Sequence, residues 1–268
     1  MNLNEIYFPV EKIPNPELEH GVELPSGLQY AVQVTKPDGV KRIVNYCSEI
    51  YHLVPNDTVI PLFLDTISKY YKVETQVKIN QWSRFFVDFI LKDKGTNIGK
   101  GDPIFPKIRV INSYDGSIKY QYMNQFWRKI CANGMMGWTG GNTHLKMMHT
   151  PAIGEEVSFE GVMEMTSKFL AELGEHTEVF KELADQVVRN PELRVEEIIE
   201  ETSFPTTLHE DVLYRLGQEK EQLNLQYTTD WLVYNAFNYQ LNHNEDFKAK
   251  ESKREKMDHE VLTYLLTY

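Results

Sequence analysis

The sequence predicts an α+β protein, with an antiparallel, strongly twisted sheet built from hairpins in the N-terminal half and helices from the C-terminal half packed against it. Three observations lead there. Short alternating or continuously apolar runs, each bounded by turn residues, fill the stretch from Leu28 to Tyr122. From Val162 onward the apolar residues recur at three- and four-residue steps. No internal repeat or low-complexity tract interrupts either half.

Taken in order, residues 1–27 carry Pro9, Pro14, Pro16 and Pro25 and read as an extended arm, because proline fixes φ and restricts its predecessor. Strands over Leu28–Val34 and Lys41–Cys47 flank the turn signal Pro37-Asp38-Gly39. Pro55-Asn56-Asp57-Thr58 opens a helix whose apolar face is Val59, Leu62, Phe63, Ile67 and Tyr70. In the strand Val73–Ile79, Val73, Thr75, Val77 and Ile79 share one face, and Glu74, Gln76 and Lys78 the other. Arg84–Lys92 is continuously apolar enough to be buried on both faces. A Gly/Lys/Asp-rich loop follows over Lys92–Asp102, then a strand over Lys107–Ser113. Asp115-Gly116 reads as a tight hairpin with both central residues at φ > 0, returning as the strand Ile118–Tyr122. Helices are expected near Val162–Arg189, Leu208–Leu223, Thr228–His243 and Lys248–Leu266, with Thr228 or Thr229 as an N-cap. The expected organisation is the arm, a strand-rich basic core over 28–150, and an acidic helical region over 151–268 packed on that core as one unit.

Charge is the informative part of the composition. The formal net charge of −11 argues against a protein that simply coats nucleic acid. It is unevenly spread: −5 over Met1–Ser68, +8 over Lys69–His149 (13 Lys/Arg against 5 Asp/Glu) and −14 over Thr150–Tyr268. A basic middle beside an acidic C-terminal part points to a local polyanion site or to internal neutralisation. Two cysteines, Cys47 and Cys131, cannot make a disulfide framework or a four-thiolate zinc site. No apolar run is long enough to cross a membrane, and the first residues show no secretory signal. A reducing, cytoplasmic setting without a membrane partner is expected.

The densest chemistry lies in Phe126–Trp138. Arg128 and Lys129 could grip phosphates while Trp127 or Trp138 stacks on bases. Alternatively, both tryptophans belong to the core and Arg128 pairs with an internal carboxylate. Cys131 reads as a nucleophile beside basic neighbours or, more plainly, as a small buried hydrophobe. Gly134, Gly137, Gly140 and Gly141 match neither mononucleotide- nor dinucleotide-binding patterns. His144 and His149 lack helical ligand spacing, so no metal, cofactor or catalytic residue is assigned. The basic strand face is better supported. Lys78, Arg84, Lys92, Lys94, Lys100, Lys107, Arg109 and Lys119 fall on strands or adjoining loops with tyrosines and phenylalanines interleaved, which suits cations tracking a backbone while rings such as Tyr120 and Tyr122 take up bases. A solvated sheet face docked on the acidic helices is the competing reading.

Several segments together resemble a known family. They are Tyr51-His-Leu-Val-Pro-Asn56, Gly101-Asp102, Asn112-Ser-Tyr-Asp-Gly-Ser117, Arg128-x-x-Cys131-x-Asn133, and the helix Thr229–His243 with Asn235 and His243. In this order and spacing they are similar to the phage/plasmid-like proteins grouped as domain of unknown function 932. Tyr114 stands where that family has His, and Asn238 where it has Thr. The resemblance implies a gene of phage, prophage or plasmid origin and, by association, DNA metabolism. It also implies structural roles for Asp115 and Gly116 in a hairpin, for Cys131, and for Asn133 at a strand–helix junction. The expectation is therefore a non-enzymatic factor of recombination or replication that binds single-stranded DNA or RNA. Its contacts would be Lys78, Arg84, Lys107, Arg109, Lys119, Tyr120, Tyr122, Trp127, Arg128 and Lys129. A homo-oligomer and a phage or host replication or recombination protein are expected partners. An acidic protein-interaction or DNA-mimic factor is the alternative.

Overall fold

Side-chain alternation decides which strands form and which face each buries. The structure, a computed structural model, describes residues 3–20, 27–129, 133–136, 144–149, 159–244, 247–249 and 251–268. Strands β1 (Val10–Pro14), β2 (Tyr30–Thr35) and β3 (Lys41–Cys47) form an antiparallel sheet in the order β1-β2-β3. A second antiparallel sheet contains β4 (Val73–Asn80), β5 (Arg84–Leu91), β6 (Thr96–Asn97), β7 (Pro103–Ser113), β8 (Tyr120–Arg128), β9 (Asn133–Met136) and β10 (His144–Met147). Its main path runs β10-β8-β7-β5-β4, with β6 on β7 and β9 on β8. A two-stranded ladder joins β11 (Val187–Val188) to β12 (Thr228–Thr229). The helices are α1 (Asn56–Ile67), α2 (Phe159–Ala171), α3 (Leu173–Asp185), α4 (Pro191–Glu201), α5 (His209–Gln222), α6 (Asp230–His243) and α7 (Glu251–Thr267). The fold is α+β, with strands mainly in the N-terminal half.

The chain divides into two compact units, which differ from the expected split at 27/28 and 150/151. One contains residues 1–93, 107–124 and 142–169; the other contains 94–106, 125–141 and 170–268. The boundaries cut β7 and β8, so the basic middle of the sequence is not one body in space. The first unit has 14 Lys/Arg against 17 Asp/Glu and the second 14 against 22, giving −3 and −8.

In the first unit, one face of the β10-β8-β7-β5-β4 sheet builds the core. Phe89 and Tyr122 lie 4.6 and 5.5 Å from the Phe63 ring of α1. Phe8, Phe85 and Tyr114 make a second aromatic group, with Phe85 and Tyr114 4.7 Å apart. The residues before β2 are not simply an extended arm. β1 pairs with β2 from Val10↔Val34 to Pro14↔Tyr30, while Leu3–Ile6 and Pro16–His20 coil into 3-10 turns. Lys12 on β1 bonds the carbonyls of Glu49 and Tyr51.

In the second unit, Phe180 of α3 packs between Phe126 and Trp231, at 5.4 and 5.2 Å, and Phe204 packs on Phe237 at 4.7 Å. The predicted helix over Val162–Arg189 is two helices. Glu172 between them adopts φ −85°, ψ 0°, two residues before Gly174; a glycine weakens helix by ~1 kcal/mol relative to alanine. The chain then leaves the helical pattern for β11. Asn190 caps α4 with Pro191 at its first turn, and Thr229 caps α6 through Leu232 N–H.

The Asp-Gly hairpin also differs from its expected form. β7 ends at Ser113 and β8 begins at Tyr120, so the connection is wider than a two-residue turn. Only Gly116 has positive φ, 67°. Asp115 Oδ1 instead accepts from Ser117 N at 3.0 Å, substituting a side chain for part of the turn's backbone bonding. A Cβ on Gly116 would sit 3.1 Å from Asn45 Nδ2, so close approach and backbone conformation both call for glycine. The β4–β5 turn carries unusual strain, with Gln81 at φ 55° and Trp82 at 62°. Trp82 is held there against Phe8, ring centroids 5.9 Å apart.

The start of α1 depends on residues far away in sequence. Asn56 N–H donates to Tyr114 Oη at 2.9 Å, and Asn112 Nδ2 donates to Val54 O at 2.8 Å and Asn56 Oδ1 at 2.9 Å. Asn56 is only 1% exposed, so Tyr114 satisfies a donor that water cannot reach. Tyr114→Phe is therefore expected to lower stability by ~1–3 kcal/mol, the cost of an unsatisfied buried donor. It would appear as a lower urea midpoint at unchanged slope; an unchanged midpoint contradicts the capping role.

Candidate functional site

The register of β4, β5 and β7 sets the candidate surface. Asn80, Arg84 and Ser113 lie across one row, Lys78, Phe86 and Ile111 across the next, then Gln76, Asp88 and Arg109, then Glu74, Ile90 and Lys107. These side chains share the face of the sheet opposite the aromatic core. Lys78 is exposed and Phe86 half-buried, whereas Asp88, Ile90, Lys107 and Ile111 are buried. Besides Lys78, Arg84, Phe86 and Arg109, the open part of the face includes exposed Glu74 and Asn80 and half-buried Gln76.

Carboxylates claim most of the cations expected there. Asp88 binds Arg109 through Nε at 2.6 Å and Nη2 at 2.8 Å, and Lys107 Nζ at 3.3 Å. Lys107 is only 1% exposed, and a lysine that deep needs a counter-ion. Burial alone would raise the Asp88 carboxyl, but the charges of Arg109 and Lys107 outweigh it and hold the group at about 2. Arg84 donates through Nε to Asp115 Oδ2 at 2.7 Å, and its side chain stays 33% exposed. Ser83 Oγ also donates to that oxygen, at 2.9 Å. Burial raises the Asp115 carboxyl, while its bonds from Ser117, Arg84 and Ser83 hold it below the usual carboxylate range.

A second polar cluster lies wholly in the second unit. Arg128, fully buried, donates through Nε to both oxygens of Asp102 at 2.8 Å, and its Nη1 pairs with Glu219. Trp231 Nε1 donates to Asp102 Oδ2 at 2.6 Å. Arg215 donates to Glu219 through Nε at 2.9 Å and Nη2 at 2.6 Å, with its guanidinium 3.9 Å above the Tyr239 ring. Two cations and two anions are thus buried together, and the bidentate geometry offsets their desolvation. Nearby, Arg194 forks onto Asp230 at 3.0 and 3.1 Å.

Several expected assignments are corrected by this geometry. Lys107 and Arg128 cannot reach phosphates in this structure, because both are buried on carboxylates. Arg109 is committed to Asp88 on two nitrogens. Tyr120, Tyr122 and Trp127 do not stack on external bases. Tyr120 and Tyr122 share a hydroxyl–hydroxyl bond of 2.9 Å inside the core, where burial pushes Tyr122 up to about 12. Trp127 is 7% exposed and packs 5.8 Å from Phe105. Lys78, Lys119 and Lys129 are the expected contacts that are exposed. Asn133 lies in β9 opposite Arg128, at a strand–strand rather than a strand–helix connection. Cys131, Trp138 and the glycines at 137, 140 and 141 lie outside the described residues.

Asn235 is buried, with Nδ2 donating to Trp231 O at 2.7 Å, whereas His243 is exposed and stacked on Tyr239 at 4.7 Å. His149 stacks on Tyr51 at 5.2 Å. Among the described residues, no group of three or more His, Cys, Asp or Glu is placed to hold a metal ion, and no helix is long and apolar enough to cross a membrane.

Glu219 and Arg215 escaped the sequence reading. Their signal was there: both fall on the α5 face that carries Val212 and Leu216, so charge lay in an apolar stripe.

The geometry defines an α+β protein whose polar residues are spent on two internal networks and one partly open sheet face. The chain belongs to the family described as domain of unknown function (DUF932), whose profile matches residues 44–262. No curated protein and no solved structure matches it. The motifs that carry the resemblance bind one another: Val54 and Asn56 meet Asn112 and Tyr114, and Asp102 meets Arg128 and Trp231.

The Asp88 network fixes a pH dependence. Its pKa is depressed in the folded protein, so its stabilisation is complete above the unfolded value near 4 and is lost as pH falls towards 2. About 2 kcal/mol should disappear across that window. Asp88→Asn should flatten this segment of the urea-stability profile and lower stability at neutral pH by ~3–5 kcal/mol, because Lys107 is left buried without its counter-ion. A wild-type acid limb retained in the variant contradicts the assignment.

Proposed function

We propose that the protein is a non-enzymatic factor that binds single-stranded nucleic acid through the open sheet face of its first unit. One observation carries this: the half-buried ring of Phe86 lies directly across from exposed Lys78, with Arg84, whose side chain is 33% exposed, two residues away on its own strand. A ring flanked by cations on an antiparallel sheet suits a base stacked on the ring and phosphates tracked by the cations, with little sequence preference. Lys119 adds a further exposed cation, beside Ile118, which is tied to Ser113 by hydrogen bonds at 2.7 and 3.1 Å. The family resemblance supports the same reading by association, as a phage- or plasmid-derived gene product acting in recombination or replication within the cytoplasm of a bacterial host.

A second reading is favoured by a different surface. Glu192, Glu196 and Glu200 are exposed at four-residue spacing on α4, in the unit of charge −8. That ridge suits a basic protein partner, as an acidic interaction factor or a mimic of DNA charge.

Fluorescence anisotropy with a labelled single-stranded oligonucleotide separates the two. The first reading expects binding at low salt that weakens as salt rises, with Lys119→Gln reducing the slope of log K against log salt by ~0.7. Phe86→Ala should weaken binding about tenfold and leave that slope unchanged, since stacking carries no counter-ion term. Absence of binding at low salt rejects the first reading and leaves the acidic ridge.

A further inference from the structure

The outer edge of β4 is self-complementary. β4 ends the strand order of its sheet, and among the described residues no strand pairs with its far side, while the Leu3–Ile6 turn packs against β4. It is eight residues long and contains no proline, although natural edge strands are commonly short, proline-bearing or charged against pairing. Its alternate residues Val73, Thr75, Val77 and Ile79 are half-exposed, so the strand is not finished as a core element.

The backbone bonding shows which groups are left over. Lys92 N donates to Lys72 O at 2.8 Å, which makes Lys72 and Lys92 a hydrogen-bonded pair in the antiparallel ladder. Such pairs alternate, so the even-numbered residues of β4 bond β5. The N–H and C=O groups of Val73, Thr75, Val77 and Ile79 therefore point outwards. They form four consecutive donor–acceptor sets along an open edge.

We infer that the protein forms a two-fold symmetric dimer in which β4 pairs antiparallel with β4 of a second copy, centred on Gln76. In this register Val73 bonds Ile79 of the second copy and Thr75 bonds Val77, using all four outward sets. Glu74 falls opposite Lys78 of the second copy, twice by symmetry, in non-hydrogen-bonded pairs whose side chains are closest. Lys78 has no carboxylate within ion-pair distance among the described residues, whereas Glu74 is 3.3 Å from Lys92 and remains 46% exposed. Neighbouring symmetric registers lose this match. Centring on Thr75 sets Lys72 against Lys78, and centring on Val77 sets Glu74 against Asn80. An isologous interface demands that one patch complement itself, and this strand does so in charge, apolar alternation and backbone polarity. The inference shares Lys78 with the proposed nucleic-acid face, and the two are told apart because one is read on mass and the other on oligonucleotides.

Sedimentation velocity of the full chain tests it. The wild-type protein should sediment as a dimer at tens of micromolar, and Glu74→Lys and Lys78→Glu should each raise the dissociation constant at least about tenfold, by setting like charges opposite each other twice. The double variant Glu74→Lys/Lys78→Glu should restore the dimer. Val77→Pro removes an outward N–H without touching the β5 ladder, and should give a folded monomer by circular dichroism. A monomeric wild type overturns the inference, as does a single reversal or Val77→Pro that dimerises like the wild type, or a double reversal that stays monomeric.

Discussion

A charge leaves water only when its counter-ion goes with it, and most of this structure follows from that constraint. Lys107 can be buried because the register sets Arg109 opposite Asp88, and Asp88 can then serve both cations. Arg128 can be buried because Asp102 and Glu219 meet its guanidinium from two sides. Each network ties together segments distant in sequence. Asp102, Arg128, Glu219 and Trp231 come from a loop end, a strand and two helices. Removing one member would strand the rest, which makes these clusters determinants of register and packing as much as of stability.

The same constraint takes part of the basic stretch of sequence away from the surface. Of its cations, Lys107 and Arg128 are internal, and Arg84 and Arg109 are partly neutralised by Asp115 and Asp88. On the face formed by β4, β5 and β7 the exposed cation beside Phe86 is Lys78, while Lys69, Lys72, Lys94, Lys100, Lys119 and Lys129 are exposed elsewhere. On the proposed reading, the few cations beside Phe86 would bind weakly and with a shallow salt dependence rather than coat a strand.

Much of the fold was legible because it depends on local patterning. Alternation in Val73–Asn80, the apolar run of Arg84–Leu91 and the cap Thr229 all use neighbours within a few residues. The width of the 114–119 turn was not legible, because Asp115 replaces backbone bonds with side-chain bonds to Ser117 and Ser83, and Ser83 lies 32 residues away. The fates of the candidate contact residues were hidden for a related reason. Whether Tyr120 faces a base or the hydroxyl of Tyr122, or Arg128 a phosphate or Asp102, depends on tertiary pairing that residue type and spacing do not encode. Of the two alternatives open for Trp127 and Arg128, the structure realises the core tryptophan and the internal carboxylate.

The central claim is that Lys107 is sealed on Asp88 while Lys78, Lys119 and Lys129 face solvent. Residue-resolved acetylation rates of the native protein, read by mass spectrometry, test this most directly. The account predicts rapid modification of the three surface lysines and strong protection of Lys107, released only on unfolding. Native acetylation of Lys107 at the rate of Lys78 would contradict it.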